Sequence, residues 1–257
     1  MECYLRDVIE GHRDVSVSYK GERDGGHVFE CPDCGLVFSP QLNSDEYLRM
    51  YKDHGRYFQE SVGVGYSSFE ERFEHDYEIS EVRVKNMREV STSEPGTTRV
   101  LDVGCGNCAL TRRLTDFGYR VEGVDLDAFS LKMSSHLPVW RNNPPNVHNV
   151  DFIDLKSPHR FDVIMFTDSF EHFLYPLTCV NKVEDLLSEG GIVVVEMPDT
   201  DCDGWRTLGV EWRHVKPKEH PFLYNLGHVR EMFATIGLSL RRALFTIPGR
   251  AVLMLGE

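Results

Sequence analysis

The chain has 257 residues, 28 Lys and Arg against 41 Asp and Glu, a net charge of −13, and seven Cys. At roughly 150 residues per domain this length holds one to two domains with a sizeable core. The acidic balance argues against a general nucleic-acid binder, which needs a basic face to displace phosphate counterions. No run of about 18 apolar residues occurs, so no bilayer-spanning helix is expected. The run Glu2-Cys3-Tyr4-Leu5-Arg6-Asp7 has neither a basic start nor an apolar core. Together with the odd Cys count, it predicts a cytoplasmic protein whose Cys pairs bind metal or pack.

Residues 1–40 are short-stranded and turn-rich. Val15 to Tyr19 alternates as a strand does, and Gly25-Gly26 reads as a turn before a second strand, His27 to Glu30. Cys31-Pro32-Asp33-Cys34-Gly35 has the form of a metal knuckle, in which a turn converges two thiolates on one ion. Residues 41–95 form a charged helical region and a polar linker. Within it Phe69, Phe73 and Tyr77 recur at i, i+4 and i+8, placing three rings on one helix face that packs on the next domain.

From residue 96 to 257 strand and helix signals alternate. Arg99–Val103, Arg120–Asp125, Phe161–Phe166 and Gly191–Glu196 are short apolar runs of the kind found in buried parallel strands. Helical segments at Cys108–Phe117, Phe129–His136 and Leu177–Leu187 separate them. A last helix near Val229–Ile236 precedes two extended segments, Leu238–Thr246 and Arg250–Leu255, joined by a turn at Gly249-Arg250. The expected fold class is α/β: a Rossmann-like, doubly wound, mostly parallel sheet ending in an antiparallel hairpin, preceded by a small zinc-ribbon-like and helical region. Ligand sites in such sheets lie at the strand carboxyl ends.

Leu101-Asp102-Val103-Gly104-Cys105-Gly106-Asn107 is a strand running into a glycine turn and a helix. Glycines let the backbone approach a ligand, and the helix N-terminus supplies oriented N–H donors. Gly104-x-Gly106-x-x-Ala109 also matches a dinucleotide fingerprint, which keeps an NAD(P)-dependent oxidoreductase as an alternative. Asp102 tells against it, because a carboxylate there repels a pyrophosphate and welcomes an ammonium group. Asp125, at the end of the second strand, is placed to accept hydrogen bonds from ribose hydroxyls. Asp127 reads as an ordinary helix N-cap. Cys105 and Cys108 read as small packing residues at the strand–helix junction.

Leu-Asp-Val-Gly-Cys-Gly-Asn followed by Gly-Val-Asp resembles the class I S-adenosylmethionine-dependent methyltransferases, and the likeness covers about residues 95–257. Asp151-Phe152, Glu171-His172 and the turn Leu186 to Gly191 fall in the family's order. The resemblance implies S-adenosylmethionine as cofactor, bound by Asp102, Gly104, Cys105, Gly106, Asp125, Leu126, Asp151 and Phe152. Of these, Asp102 and Gly104 would lie near the methionine moiety, Asp125 at the ribose, and Asp151 and Phe152 at adenine. A non-catalytic nucleoside-binding module, with the zinc region contacting a partner, is the third alternative.

Methyl transfer needs donor and acceptor in line and, for many oxygen acceptors, a base of near-neutral pKa. His172, after the fourth strand, and His220, in the insertion after the fifth, are the candidates. The insertion from Asp203 to Tyr224 carries two of the chain's three Trp among Arg and Lys, which predicts a cover over a small, anionic or sugar-like acceptor. Glu171-His172 with Glu219-His220 resembles the sugar C-methyltransferases, but their Tyr three residues before the second His is Pro217 here, and their long C-terminal domain is missing. O-methylation is therefore favoured. Related enzymes with an N-terminal zinc module carry an earlier C-x-x-C. Here Cys3 occupies its first position and Arg6 its second, so His12 or His27 must complete a structural Zn²⁺ site with Cys3, Cys31 and Cys34.

Overall fold

The computed structural model describes residues 2–9, 11–13, 15–40, 44–52, 65–91, 94–247 and 249–257. Two sheets organise them. A four-stranded sheet has the order β1 (Ser18–Arg23), β2 (Gly26–Glu30), β3 (Val37–Phe38), β9 (Phe222–Leu223). A seven-stranded sheet has the order β10 (Ser239–Ile247), β11 (Arg250–Gly256), β8 (Leu187–Pro198), β7 (Phe161–Thr167), β4 (Arg99–Val103), β5 (Arg120–Asp125), β6 (Val147–Asn149). The chain divides into two compact units, one of residues 48–167 and 185–192, the other of residues 1–47, 168–184 and 193–257. The α/β class and the mostly parallel sheet are those the alternating apolar runs predict.

In the first unit β4 pairs in parallel with β5, from Arg99↔Arg120 to Val103↔Val124, and with β7, from Val100↔Val163 to Val103↔Phe166. Val100, Leu101, Val163, Ile164 and Phe166 are fully buried, which is why these strands are apolar without alternation. Helix α2 (Phe69–Arg88) starts where the Ser68 side chain accepts from Glu71 N at 3.1 Å and the Glu71 carboxylate accepts from Ser67 N at 2.6 Å. Its aromatic stripe packs as the spacing predicts. Phe69 and Phe73 join Cys105, Cys108, Ala109, Leu131, Leu137 and Trp140 in one buried cluster, with Tyr77 against it. Each fully buried ring contributes up to about 3 kcal/mol by area. Cys105 and Cys108 are free and buried, in accord with a packing role. The 41–95 helical region is described only in part: α1 (Ser44–Lys52) and α2 are helices, and residues 53–64 lie outside the described residues.

In the second unit the first strand differs from the expectation of Val15 to Tyr19. The β1–β2 hairpin turns at Asp24-Gly25, both in left-handed backbone (φ 50° and 76°), so the ladder counts back from Arg23↔Gly26 and ends at Ser18. The Asp203–Tyr224 insertion also departs from its expected form. Its strand β9 pairs with β3 through Val37↔Leu223 and Phe38↔Phe222. Trp205 and Trp212 are buried with Val28, Val37, Val215 and Leu223, so the two indoles are core and not an exposed aromatic cover. This packing is close: a Cβ on Gly26 would lie 2.3 Å from Pro217 Cβ, and one on Gly204 would lie 2.5 Å from Trp212 Nε1. The terminal β10–β11 pair is an antiparallel hairpin, as expected. Among the described residues no helix is long and apolar enough to cross a membrane.

Candidate active site

The glycine bend after β4 is built by the strand beside it. Gly104 N donates to Val124 O at 2.8 Å and Cys105 N to the same oxygen at 3.2 Å, which curls the loop over the tip of β5. A Cβ on Gly123 would lie 2.8 Å from Cys105 Sγ, so the strand must present a glycine there. Gly104 and Gly106 adopt φ of 74° and 49°, the left-handed region that glycine enters without steric cost. Helix α3 (Ala109–Asp116) then begins at Cys108, itself left-handed and without a side-chain cap, and Ala109 N donates instead to Asn107 Oδ1 at 3.2 Å.

Two carboxylates frame this bend. Asp125 accepts from Gly106 N on Oδ2 and from Asp127 N on Oδ1, both at 2.8 Å, which fixes it at the end of β5. Burial raises its pKa, while the N–H groups of Asp127 and Gly106 pull the other way. Asp102 is 2% exposed and accepts from the Thr111 hydroxyl at 2.7 Å. Burial pushes it up to about 6, with the Thr111 bond opposing. Leu126 follows Asp125, and Asn149 Nδ2 donates to the Asp125 and Leu126 carbonyls, both at 3.0 Å. Asp127 caps helix α4 (Ala128–His136) through Phe129 N and Ser130 N, as its position predicts. Asp151 accepts from Ile153 N at 3.2 Å, and the buried Phe152 ring meets Phe166 edge-on at 5.5 Å.

Sequence reading missed the brace behind the loop. Asn107 donates to Asp76 at 2.8 Å, and Asp76 also accepts from Arg72 at 2.9 Å. Arg72 and Asp76 stand at i, i+4 on α2, a spacing that signals a pair but not its third member.

In the other unit Glu171, His172 and His220 come together, with one ligand-type atom from each within 4.8 Å of the others. The two imidazoles meet edge-to-face, their centroids 4.6 Å apart. Burial drives the His172 pKa down to about 3, with the Lys216 charge adding to it, and burial takes His220 well below its ordinary value. Both rings are therefore neutral near pH 7. Burial, reinforced by the Glu196 charge, pushes Glu171 up to about 8. The Tyr47 hydroxyl, on α1, donates to the His172 carbonyl and lies 3.1 Å from the Glu219 carbonyl. Glu171 is legible in the sequence as part of the Glu171-His172 motif but without a site role of its own, and Tyr47 carries no signal there.

Cys3, His12, Cys31 and Cys34 form a second cluster in the same unit, again within 4.8 Å. Cys3 Sγ lies 3.6 Å from Cys34 Sγ, and His12 Nε2 lies 3.3 Å from Cys31 Sγ. Gly35 N donates to Cys31 O at 2.8 Å, closing the knuckle turn. His27 is not a member; its ring lies 3.2 Å from Glu22 instead.

The model of a family described as a methyltransferase domain matches residues 72–243. The chain belongs to that family. The chain is also 31% identical over 96 residues to a ubiquinone biosynthesis O-methyltransferase of Nitrosospira multiformis, covering 37% of this chain and 40% of that one. A Proteus mirabilis protein of the same name is 26% identical over 154 residues, covering 59% of this chain and 62% of that one. The matched segments thus span less than two thirds of these relatives. Among solved structures, magnesium protoporphyrin IX methyltransferase of Synechocystis with bound SAH aligns at a TM-score of 0.62 and 16% identity, covering 84% of this chain and all of that one. A Burkholderia thailandensis 1,6-didemethyltoxoflavin-N1-methyltransferase aligns at 0.58 and 13%, covering 93% and 99%. At these identities the structural likeness establishes the fold.

Proposed function

We propose that the protein transfers a methyl group from S-adenosylmethionine to an oxygen of a small, anionic or sugar-like acceptor. The observation that carries this is the glycine bend held between two carboxylates: Asp102 buried beneath it and Asp125 fixed by Gly106 N. Ionised, Asp102 attracts the cationic methionine end of the donor, which would rest on Gly104, Cys105 and Gly106. Asp125, with oxygens already oriented by backbone N–H groups, would grip the ribose hydroxyls. Leu126 would line the ribose, and Asp151 and Phe152 the adenine. The relatives named for O-methylation support oxygen as the acceptor atom.

Activation of the acceptor is assigned to His172 and His220. Burial holds both imidazoles below the near-neutral pKa expected of a base, so their neutral lone pairs would act by accepting a hydrogen bond from the acceptor, and Tyr47 bridges their two backbone segments. The Cys3/His12/Cys31/Cys34 cluster fits a structural Zn²⁺. Tetrahedral thiolates 2.3 Å from zinc sit about 3.8 Å apart, close to the Cys3–Cys34 separation of 3.6 Å. His12 Nδ1 is buried without a hydrogen-bond partner and lies 3.9 Å from the Asp33 carboxylate, an outer contact that would orient a ligating ring. Such an ion would cross-link the N-terminal turn to the knuckle.

Calorimetry tests the donor site. Wild type is expected to bind S-adenosylmethionine, and Asp102→Ala and Asp125→Ala to bind it at least tenfold more weakly. Equal binding by both variants would overturn the assignment. Release of S-adenosylhomocysteine on incubation with a metabolite extract distinguishes an enzyme from a silent nucleoside-binding module.

A further inference from the structure

We propose that Glu171, His172 and His220 form a second metal site, one for a divalent first-row transition cation, separate from the cysteine cluster. Glu171 is 2% exposed, and its Oε2 is buried without a hydrogen-bond partner. Burial without a partner on that oxygen favours the neutral acid, and a bound cation would favour the ionised carboxylate there.

The two imidazoles are oriented as ligands. His220 Nδ1 donates to the His214 carbonyl at 2.7 Å, so Nε2 carries the lone pair. The Glu219 backbone also interacts with His172, favouring its protonated form against burial. A histidine whose second nitrogen is engaged by a carbonyl is held in one tautomer and one orientation, the usual outer arrangement of a metal-bound imidazole. The Tyr47 hydroxyl joins the His172 and Glu219 carbonyls and so fixes the spacing of the two segments.

The three ligand atoms lie within 4.8 Å of one another. Bonds of 2.0–2.2 Å in a tetrahedral site need separations of about 3.4 Å, so closure takes movements on the order of 1 Å. The nearby cation does not oppose this strongly: Lys216 Nζ is paired with Glu219 Oε2 at 2.9 Å. Two imidazoles and one carboxylate favour zinc, iron(II), cobalt or nickel over magnesium and calcium, which prefer all-oxygen shells. Three protein ligands leave a position open for an oxygen ligand.

The role of the cation rests on the methyl-transfer reading. A cation held by these residues would lower the pKa of an acceptor hydroxyl at its open position, so that the proton could pass to water. His172 and His220 would then activate the acceptor as ligands of the cation. Binding itself does not depend on that reading.

The test is a Co²⁺ titration of the full chain after removal of loosely held metal, followed by absorption. Wild type is expected to take up one cobalt without a thiolate charge-transfer band. Glu171→Gln should weaken that uptake at least tenfold and His220→Gln abolish it. Any thiolate band from the cysteine cluster should persist in both, reporting an intact fold. Should the variants fail to fold, the wild type decides through ¹⁵N-histidine spectra: Zn²⁺ should move two imidazoles besides His12. Cobalt uptake seen only with thiolate bands, unchanged uptake in both variants, or no second pair of shifted imidazoles would overturn the proposal. S-adenosylhomocysteine calorimetry on the same sample separates the two readings. Donor binding without cobalt uptake refutes the cation site alone, and cobalt uptake without donor binding refutes the methyl-transfer reading alone.

Discussion

Replacing Asp102 by Asn should make the protein more stable and a poorer binder of its donor. Asp102 is 2% exposed, and burial pushes its pKa from 3.8 to about 6. The folded state therefore holds this proton more tightly than the unfolded chain does. Wild-type stability from this group is greatest below pH 3.8, falls as pH rises towards 6, and levels off above it. A shift of about 2 units at 1.36 kcal/mol per unit is worth about 3 kcal/mol, with no discount for solvent because the group is buried. Asn does not titrate, and its amide oxygen can still accept from the Thr111 hydroxyl. The stability of Asp102→Asn relative to wild type should thus climb by about 2 kcal/mol between pH 4 and pH 7. Urea denaturation of both proteins at each pH unit over that range measures it. A difference that stays flat with pH would refute the reasoning, since every other titrating group is common to the two proteins.

Donor affinity should run the opposite way in wild type, rising from pH 5 to pH 7 as Asp102 ionises to meet a cation. Thr111→Val, which removes the hydroxyl that favours the charged form, should move that rise to higher pH in a calorimetric series. Gly26→Ala drives a Cβ to 2.3 Å from Pro217 and should cost about 1–3 kcal/mol in a thermal melt. An unchanged melt would mean that the Pro217 loop yields freely. Trp212→Ala should cost about 3–5 kcal/mol, because its indole is core; a solvated cover would lose far less. A strong chelator should lower the melting temperature of wild type by more than that of a Cys31→Ala/Cys34→Ala variant, and equal responses would contradict zinc at that cluster.

Legibility from sequence followed the range of the interactions. The bounds of β4 and β5 could be read directly, because each carries a buried centre of Val, Leu or Gly between a basic first residue and the glycine bend or acid that ends it. The Asp127 cap and the Phe69/Phe73 stripe were legible for the same local reason: their partners lie within two turns, or their spacing is the helix repeat. Cys3, His12, Cys31 and Cys34 could be proposed together because metal chemistry restricts the residue types. The pairing of β3 with β9 joins residues far apart in the chain and leaves no mark in either dipeptide. Trp205 and Trp212 misled because an indole among Arg and Lys looks the same in sequence whether it faces solvent or a valine cluster. Tyr47 joins two backbone carbonyls, and a carbonyl has no sequence signature.

That the bend between Asp102 and Asp125 cradles a sulfur-linked nucleoside is tested most directly by a crystal structure of the protein soaked in S-adenosylhomocysteine. Ribose hydroxyls are expected on the Asp125 carboxylate and the amino-acid end over Gly104, with Asp102 beneath. A vacant bend at saturating ligand, or the nucleoside seated away from Asp125, would contradict it.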